Sequence, residues 1–374
     1  MKRLNDYMMR LIVVGFVAVL MLSAGKAKAD FTFGERTDLG PKVNCTTDQW
    51  DVCISSDGLL LLWGIAAGPD NADIWMATRP TTNDLWREAT DLGPPINATS
   101  DETDPSLSAD GLTLFFRSDR PGGFGGDDLW VARRADKDSE WDTPTNLGPP
   151  VNTEWDEGKP SISGDGLSLY FSDYSWWDPT ASPRPGGQGW GDIWVTTRVS
   201  KDDPWEEPVN LGPPVNSSSL DCGPCISADG RALFFYSDRP GGHGYFDIWM
   251  STRQTSERMP DGYWGTPINL GSIVNSSLDD KDPCISSDGS MLYYDYGFNS
   301  KNIFQSPIIP IVDLNADGLV DSADMVIMVD NWGTDNSLCD IGPMPWGDGV
   351  VDVQDLIVLA EHLFEELPGR PINP

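Results

Sequence analysis

Histidine is almost missing from this chain. His243 and His362 are the only two among 374 residues. His243 falls in a turn where sister segments carry Phe124 and Gln188, and His362 falls in a terminal helical stretch. Serine–histidine–aspartate catalysis and histidine-rich zinc sites are therefore poorly supported. Positive charge is also scarce, with 25 Lys and Arg against 58 Asp and Glu, a formal net charge of −33. Such a balance disfavours nucleic acid and anionic membrane surfaces as partners, and suits a protein that uses cations. Long apolar runs are lacking beyond the first two dozen residues, so no later segment is expected to span a membrane.

The one apolar run, Leu11 to Leu22, follows Lys2, Arg3 and Arg10 and precedes Ala27-Lys28-Ala29. That order reads as a secretory leader over residues 1–29, with cleavage before Asp30. The expected location is secreted: extracellular, periplasmic or cell-surface. Six cysteines in an exported chain allow fifteen pairings if all bond. Cys53, Cys225 and Cys284 share one strand slot in which sister segments carry Ser106 and Ser161, whereas Cys45 and Cys222 lie just upstream of such strands. Cys222-Gly-Pro-Cys225 leads into a strand and does not start a helix, so small buried residues or a local disulfide explain these cysteines better than redox catalysis does.

What the chain has in abundance is repetition. Its cleanest unit, Thr103 to Arg133, contains three short period-two runs separated by Asp-Gly and Pro-Gly-Gly turns, and a fourth run follows at Trp141. The Asp-Gly turns at Asp57, Asp110, Asp165, Asp229 and Asp288 are spaced by 53, 55, 64 and 59 residues. A four-stranded unit at that period is a propeller blade, so residues 30–308 are expected to form an all-β five-bladed propeller. Blades 1 to 4 end in a Trp-bearing fourth strand (Trp86, Trp141, Trp205, Trp264), which the fifth copy lacks. An orphan stretch, Phe33 to Gly40, is expected to complete blade 5 and leave no open sheet edge.

The repeats resemble the WD-like repeats of the TolB family of cell-envelope propellers. The carriers are Ser108-Ala-Asp-Gly-Leu-Thr-Leu-Phe-Phe116, Ser118-Asp-Arg-Pro-Gly-Gly123 and Asp128-Leu-Trp130. The resemblance implies the fold over residues 31–308 and says little about activity, since propellers bind, scaffold and catalyse. It also explains two slots of tryptophans as core: Trp75, Trp130, Trp194 and Trp249, and Trp86, Trp141, Trp205 and Trp264.

Strand order places the Pro-Gly-Gly turns and the Leu-Gly-Pro-Pro-Val-Asn connections on one face. That face carries Trp50, Trp155 and, in an insertion of blade 3, Trp176 and Trp177, all beside many acids. Two readings stand. The aromatics form a sugar- or protein-binding surface, or they pack the insertion onto the rim. An enzyme reading also stands: five-bladed glycoside hydrolases of the arabinanase type carry carboxylates on inner strands of successive blades, and Asp51, Asp104 and Glu157 lie near the first strands of blades 1, 2 and 3. Such a mechanism needs one acid neutral and another ionised.

After a linker at 309–312 the pattern changes. Asp313, Asn315, Asp317, Asp321 and Asp324 stand at positions 1, 3, 5, 9 and 12 of a loop, with Gly318 at 6 and the Leu319 carbonyl at 7. This is calcium-loop spacing, and a short helix from Met325 to Trp332 follows. A second half keeps Asp348, Gly349, Asp352 and Asp355 at positions 5, 6, 9 and 12, with Asp340 reaching in across a longer loop before a helix from Leu356 to Glu366. The two halves, residues 313–366, resemble a type I dockerin, leaving 367–374 as a tail. The resemblance implies a small all-α Ca2+-binding domain that docks onto a cohesin-like scaffold module. The partner-contacting pairs would fall on Ser322 and Ala323, and on Val353 and Gln354. The expectation for the whole is a secreted recognition or scaffold protein in polysaccharide utilisation, with a glycoside hydrolase and a pure protein-interaction scaffold as the other readings.

Overall fold

The structure, a computed structural model, describes residues 31–44, 48–68, 71–173, 184–253, 264–297, 302–310, 312–314, 319–334, 339, 341–342 and 350–364. The leader, Trp176 and Trp177, and the loop residues Asn315, Asp317, Asp340 and Asp348 lie outside the described residues.

Five antiparallel sheets form the propeller. Blade 1 runs from its inner strand Gln49–Ile54 through Leu60–Gly68 and Asn71–Thr78 to Thr90–Asp91 at the rim. Blades 2, 3 and 4 repeat this order from inner strands Glu102–Leu107, Gly158–Ile162 and Asp221–Ile226. The fourth strands are shorter than the sequence suggests. Each pairs over only two residues, and Trp86, Trp141, Trp205 and Trp264 sit in the extended stretch before them. A cation, not a β-ladder, fixes these indoles. Arg79, Arg134, Arg198 and Arg253 stack on them at 4.3 to 4.6 Å and donate through Nε to the carbonyl of the preceding Asp-Gly turn.

Blade 5 closes the ring as the orphan stretch predicts. Its outer strand, Asn302–Pro310, pairs with Phe31–Phe33 and with Thr37–Asp38 from the start of the propeller. A repeated asparagine secures every blade, including this one. Asn97, Asn152, Asn216 and Asn275 each accept from and donate to the backbone of Ile74, Leu129, Ile193 and Ile248. Asn44 does the same to Ile303, 2.9 Å in both directions, across the chain closure.

The core lies at the seams between blades. Between blades 1 and 2 it contains Leu62, Ile74, Leu114, Phe116 and Trp130, and equivalent clusters fill the seams between blades 2 and 3, 3 and 4, and 5 and 1. A buried tryptophan at such a seam removes about 150–250 Å2 from water, on the order of 4–6 kcal/mol of transfer free energy. No described helix is long and apolar enough to cross a membrane.

Among its described residues the tail has two helices, α1 (Ser322–Asp330) and α2 (Val353–Glu361). Both begin three residues earlier than their apolar runs suggest, because Asp321 and Asp352 cap them and Asp324 and Asp355 bond back to the capping residues. Val312, Val320, Met328, Ile341, Val351 and Leu359 form its small core.

Candidate functional site

Every inner strand carries a bulge, in which two residues oppose one on the neighbouring strand. The first bulged residue adopts positive φ: Asp51 62°, Asp104 55°, Lys159 54°, Gly223 64° and Asp282 49°. Only glycine takes this conformation without penalty, and four of the five are not glycine. The five residues and those that follow them line a pocket on the propeller axis. Its volume of about 40 Å3 is far below that of a drug-sized ligand site and suits a few waters or a small ion.

Lys159 organises the pocket. Its ammonium bonds Asp51, lies 2.7 Å from Asp282 Oδ1 and 3.6 Å from Asp104 Oδ1. Asp104 also accepts the Lys159 amide at 2.8 Å and faces Arg117 Nε at 3.7 Å. Arg117 in turn donates to Thr103 and, at 3.1 Å, to Asp127 in the Pro-Gly-Gly loop. Burial and then the neighbouring Asp104 push the Asp51 carboxyl well above the usual range. Burial acts to raise Asp104 as well, but Lys159 and Arg117 outweigh it and hold that carboxyl well below the range. Adjacent Asp51 and Asp104 are thus driven toward opposite protonation states. Lys159, despite burial, is raised by its three carboxylate neighbours and stays charged.

Glu157 does not join Asp51 and Asp104. It occupies a different slot, two residues before the bulge, with Gln49, Glu102, Asp221 and Asp280 as its equivalents. Glu102 and Glu157 are fully buried and accept the amide of the residue four positions upstream, Ala98 at 2.7 Å and Thr153 at 3.0 Å. Arg120 and Arg184 face these two acids at 2.9 and 3.8 Å and also donate to the Ile96 and Val151 carbonyls. Blade 1 has Gln49 in this slot, and the glutamine amide itself donates to the Val43 carbonyl. The slot is a loop anchor, and the carboxylate trio mixes two registers. Burial raises Glu157 to about 8, with its Thr153 hydrogen bonds opposing.

Trp50 and Trp155 are half-buried. The Trp50 indole packs where a side chain on Gly64 would stand, at the seam with blade 2. More exposed aromatics lie elsewhere on the same face: Trp190 is 68 % exposed, Tyr245 65 % and Phe124 54 %. Trp190 and Tyr245 fill one slot of blades 3 and 4, where blade 2 has Gly126. Their loops are held close. A Cβ on Gly125, Gly189 or Gly244 would lie 1.9–2.2 Å from a carbonyl of the next blade's leading loop. The Gly191 and Phe246 carbonyls accept the amides of Asp221 and Asp280 at 2.9 Å. Tyr245 also packs edge-on against Phe246, ring centroids 4.6 Å apart. Comparing the Pro-Gly-Gly turns residue by residue would have found them, since an aromatic stands there where glycine suffices.

In the tail, Asp324 and Asp355 are fully buried. Asp324 accepts from Leu314 N at 2.7 Å and Asp321 N at 2.8 Å, and Asp355 accepts from Gly342 N at 2.7 Å and Asp352 N at 2.6 Å. In both halves the buried acid at the third helical position thus accepts from the capping residue and from an amide upstream. No cluster of three metal-ligating side chains is formed among the described residues.

The chain matches no model of a known protein family and no curated protein. It is similar to solved structures that include a thermostable family-43 glycoside hydrolase (15 % identity over 73 % of this chain and 92 % of that one, TM-score 0.49). Others are an RGII complex (11 %, 75 % and 92 %, 0.50) and a putative TolB from Agrobacterium tumefaciens (17 %, 72 % and 79 %, 0.42). At such identities the likeness bears on the fold alone, and the fold is a β-propeller. Within that class, this chain is a five-bladed propeller with an acidic, lysine-bridged axial pocket.

Proposed function

We propose that the propeller is a non-catalytic recognition module that holds a glycan across its loop face. The observation that carries this reading is the set of exposed aromatics, Phe124, Trp190 and Tyr245, on loops that backbone contacts pin to neighbouring blades. Pinned indole and phenol rings offer stacking faces for pyranose rings at little ordering cost. The chain is exported, and its tail is a Ca2+-binding docking module for a cohesin-like scaffold partner. Asp313, the Leu319 carbonyl, Asp321 and Asp324 would hold the ion in the first loop, and Asp352 and Asp355 in the second. Buried Asp324 and Asp355, oriented by loop amides, supply oxygen donors of the type Ca2+ takes. Exposed Val326, Val329 and Trp332 on the first half and Val353 and Ile357 on the second give the tail an apolar surface for a partner.

Affinity electrophoresis of the full chain through a panel of soluble polysaccharides tests the glycan reading. Retardation by at least one polysaccharide, reduced tenfold or more in Trp190→Ala with Tyr245→Ala, is expected. Migration unchanged by every polysaccharide would remove it. A hydrolase is the second reading, favoured by the opposed protonation of Asp51 and Asp104. Reducing-end release that disappears in Asp51→Asn would establish it in place of the first.

A further inference from the structure

Two residues beyond each axial bulge, the inner strands place a hydroxyl or thiol: Cys53, Ser106, Ser161, Cys225 and Cys284. These groups form a second ring about the axis. Ser106 accepts the Ile162 amide of the next blade at 3.1 Å, and Ser161 accepts that of Ile226 at 3.1 Å. Cys225 accepts the Ile285 amide at 3.3 Å, Cys284 accepts that of Ile54 at 3.4 Å, and the Leu107 amide serves Cys53. Blades 4, 5 and 1 are neighbours, so the three thiols fall consecutively with Cys284 in the middle. Cys284 thus has a thiol on either side, Cys225 from blade 4 and Cys53 from blade 1. Cys53 and Cys225 are 7 % and 8 % exposed, whereas Cys284 is only half-buried.

The Ile54 N–H donates to the sulfur of Cys284, the least buried of the three, and a thiol flanks it on each side. Hydrogen bonds to the charged form favour it. The Cys225 and Cys53 thiols hold Cys284 well below the usual thiol range, while they themselves are raised. Cys222 is a contrast within the same chain. Burial drives it up to about 12 beside Ser172 and Tyr236.

We propose that Cys284 is a peroxide-reactive thiolate whose oxidised sulfur is captured by a flanking thiol, Cys225 or Cys53, cross-linking blade 5 to its neighbour. The Cys284 thiolate attacks one peroxide oxygen, the O–O bond breaks, and a protonated leaving oxygen departs as water or alcohol. The sulfenic acid that results is attacked by the flanking sulfur. An S–S bond forms, the S–O bond breaks, and a second water leaves. Two thiols lose two electrons and the peroxide gains them. The serines of blades 2 and 3 show that the ring accepts an oxygen in this slot, so Cys→Ser variants are expected to fold.

The test uses the reduced full chain with one equivalent of hydrogen peroxide, blocking of residual thiols, digestion and mass spectrometry. A peptide pair joining Cys284 to Cys225 or to Cys53 is expected, with Cys222 recovered as a thiol. Limiting iodoacetamide is expected to alkylate native Cys284 at least tenfold faster than Cys222. Cys284→Ser should abolish the cross-link. Cys53→Ser with Cys225→Ser should leave a sulfenic acid at Cys284 that dimedone traps. Full recovery of all thiols after peroxide, equal alkylation of Cys284 and Cys222, or a Cys53–Cys225 link formed at the wild-type rate in Cys284→Ser would each overturn the proposal.

Discussion

Replacing Lys159 by methionine removes one charge and leaves the backbone penalty of its positive φ in place. Asp51, Asp104 and Asp282 then face each other at the axis, with Arg117 still facing Asp104. Removing one partner of a buried ion pair costs about 3–5 kcal/mol, because the remaining charge is left without compensation. The carboxylates escape that cost by taking up protons, so the loss must depend on pH. In the variant their folded-state pKa values rise above the unfolded value of about 3.9. Stability is then fullest below that value and falls as pH rises. Each proton retained in the folded state adds about 1.4 kcal/mol of penalty per pH unit. In the wild type Asp51 is raised too, but two groups at the axis work the other way. Depressed Asp104 contributes stability above its unfolded value and loses it only on further acidification, and raised Lys159 contributes until strongly alkaline pH. Raised Asp51 and Glu157 already slope the wild type over roughly pH 4.5 to 7.5, so the variant's added slope is read as its difference from wild type across that window. Urea unfolding followed by tryptophan fluorescence at three pH values measures it. The expected difference is about 3–5 kcal/mol at pH 7.5, shrinking toward pH 4.5 and partly restored by Asp51→Asn. A loss under about 1 kcal/mol, or one that does not vary with pH, would refute the charged-axis account.

Glu157, with its folded pKa near 8, makes wild-type stability decline as pH rises from about 4.5 through 8. Glu157→Gln, the residue type that blade 1 carries in this slot, is expected to flatten that decline in a urea-midpoint series, and an unchanged slope would assign the effect to other acids. Asn44→Ala leaves the Ile303 amide and carbonyl without partners, at about 1–3 kcal/mol each, and is expected to make the stretch after Phe31 cleavable by limiting protease before blade 2 is touched. Calcium titration of the chelator-treated full chain should show heat of binding, reduced by one site in Asp324→Ala. Absence of any heat would remove the calcium assignment.

The blade count, the closing stretch and the loop face were readable because each rests on a residue type repeated at fixed spacing. Asp51 and Asp104 were visible as acids near inner strands, but the site around them was not. Lys159, Gly223 and Asp282 occupy the same slot, yet they share no chemistry, and what unites them is a bulge with positive φ that composition does not announce. Glu157 misled for the converse reason: an acid two residues from the bulge looks like its neighbours in sequence, but the bulge turns one inward to the axis and leaves the other beneath a loop. Trp190 and Tyr245 are inconspicuous in sequence beside the longer insertion with Trp176 and Trp177, which lies outside the described residues.

Pairing Phe31 with Pro310 makes blade 5 a composite of the earliest and latest segments of the propeller. Blades 1 to 4 draw all their strands from contiguous chain, so each can assemble as it is synthesised. Blade 5 must wait until nearly the whole array exists, and in the interval both ends of the array present open strand edges. An N-terminal strand meets the same partner surface on a second molecule as on its own. The geometry that closes a monomer therefore also permits exchange of that strand between two chains, and the concentration at which the protein folds sets the balance between ring closure and a swapped dimer.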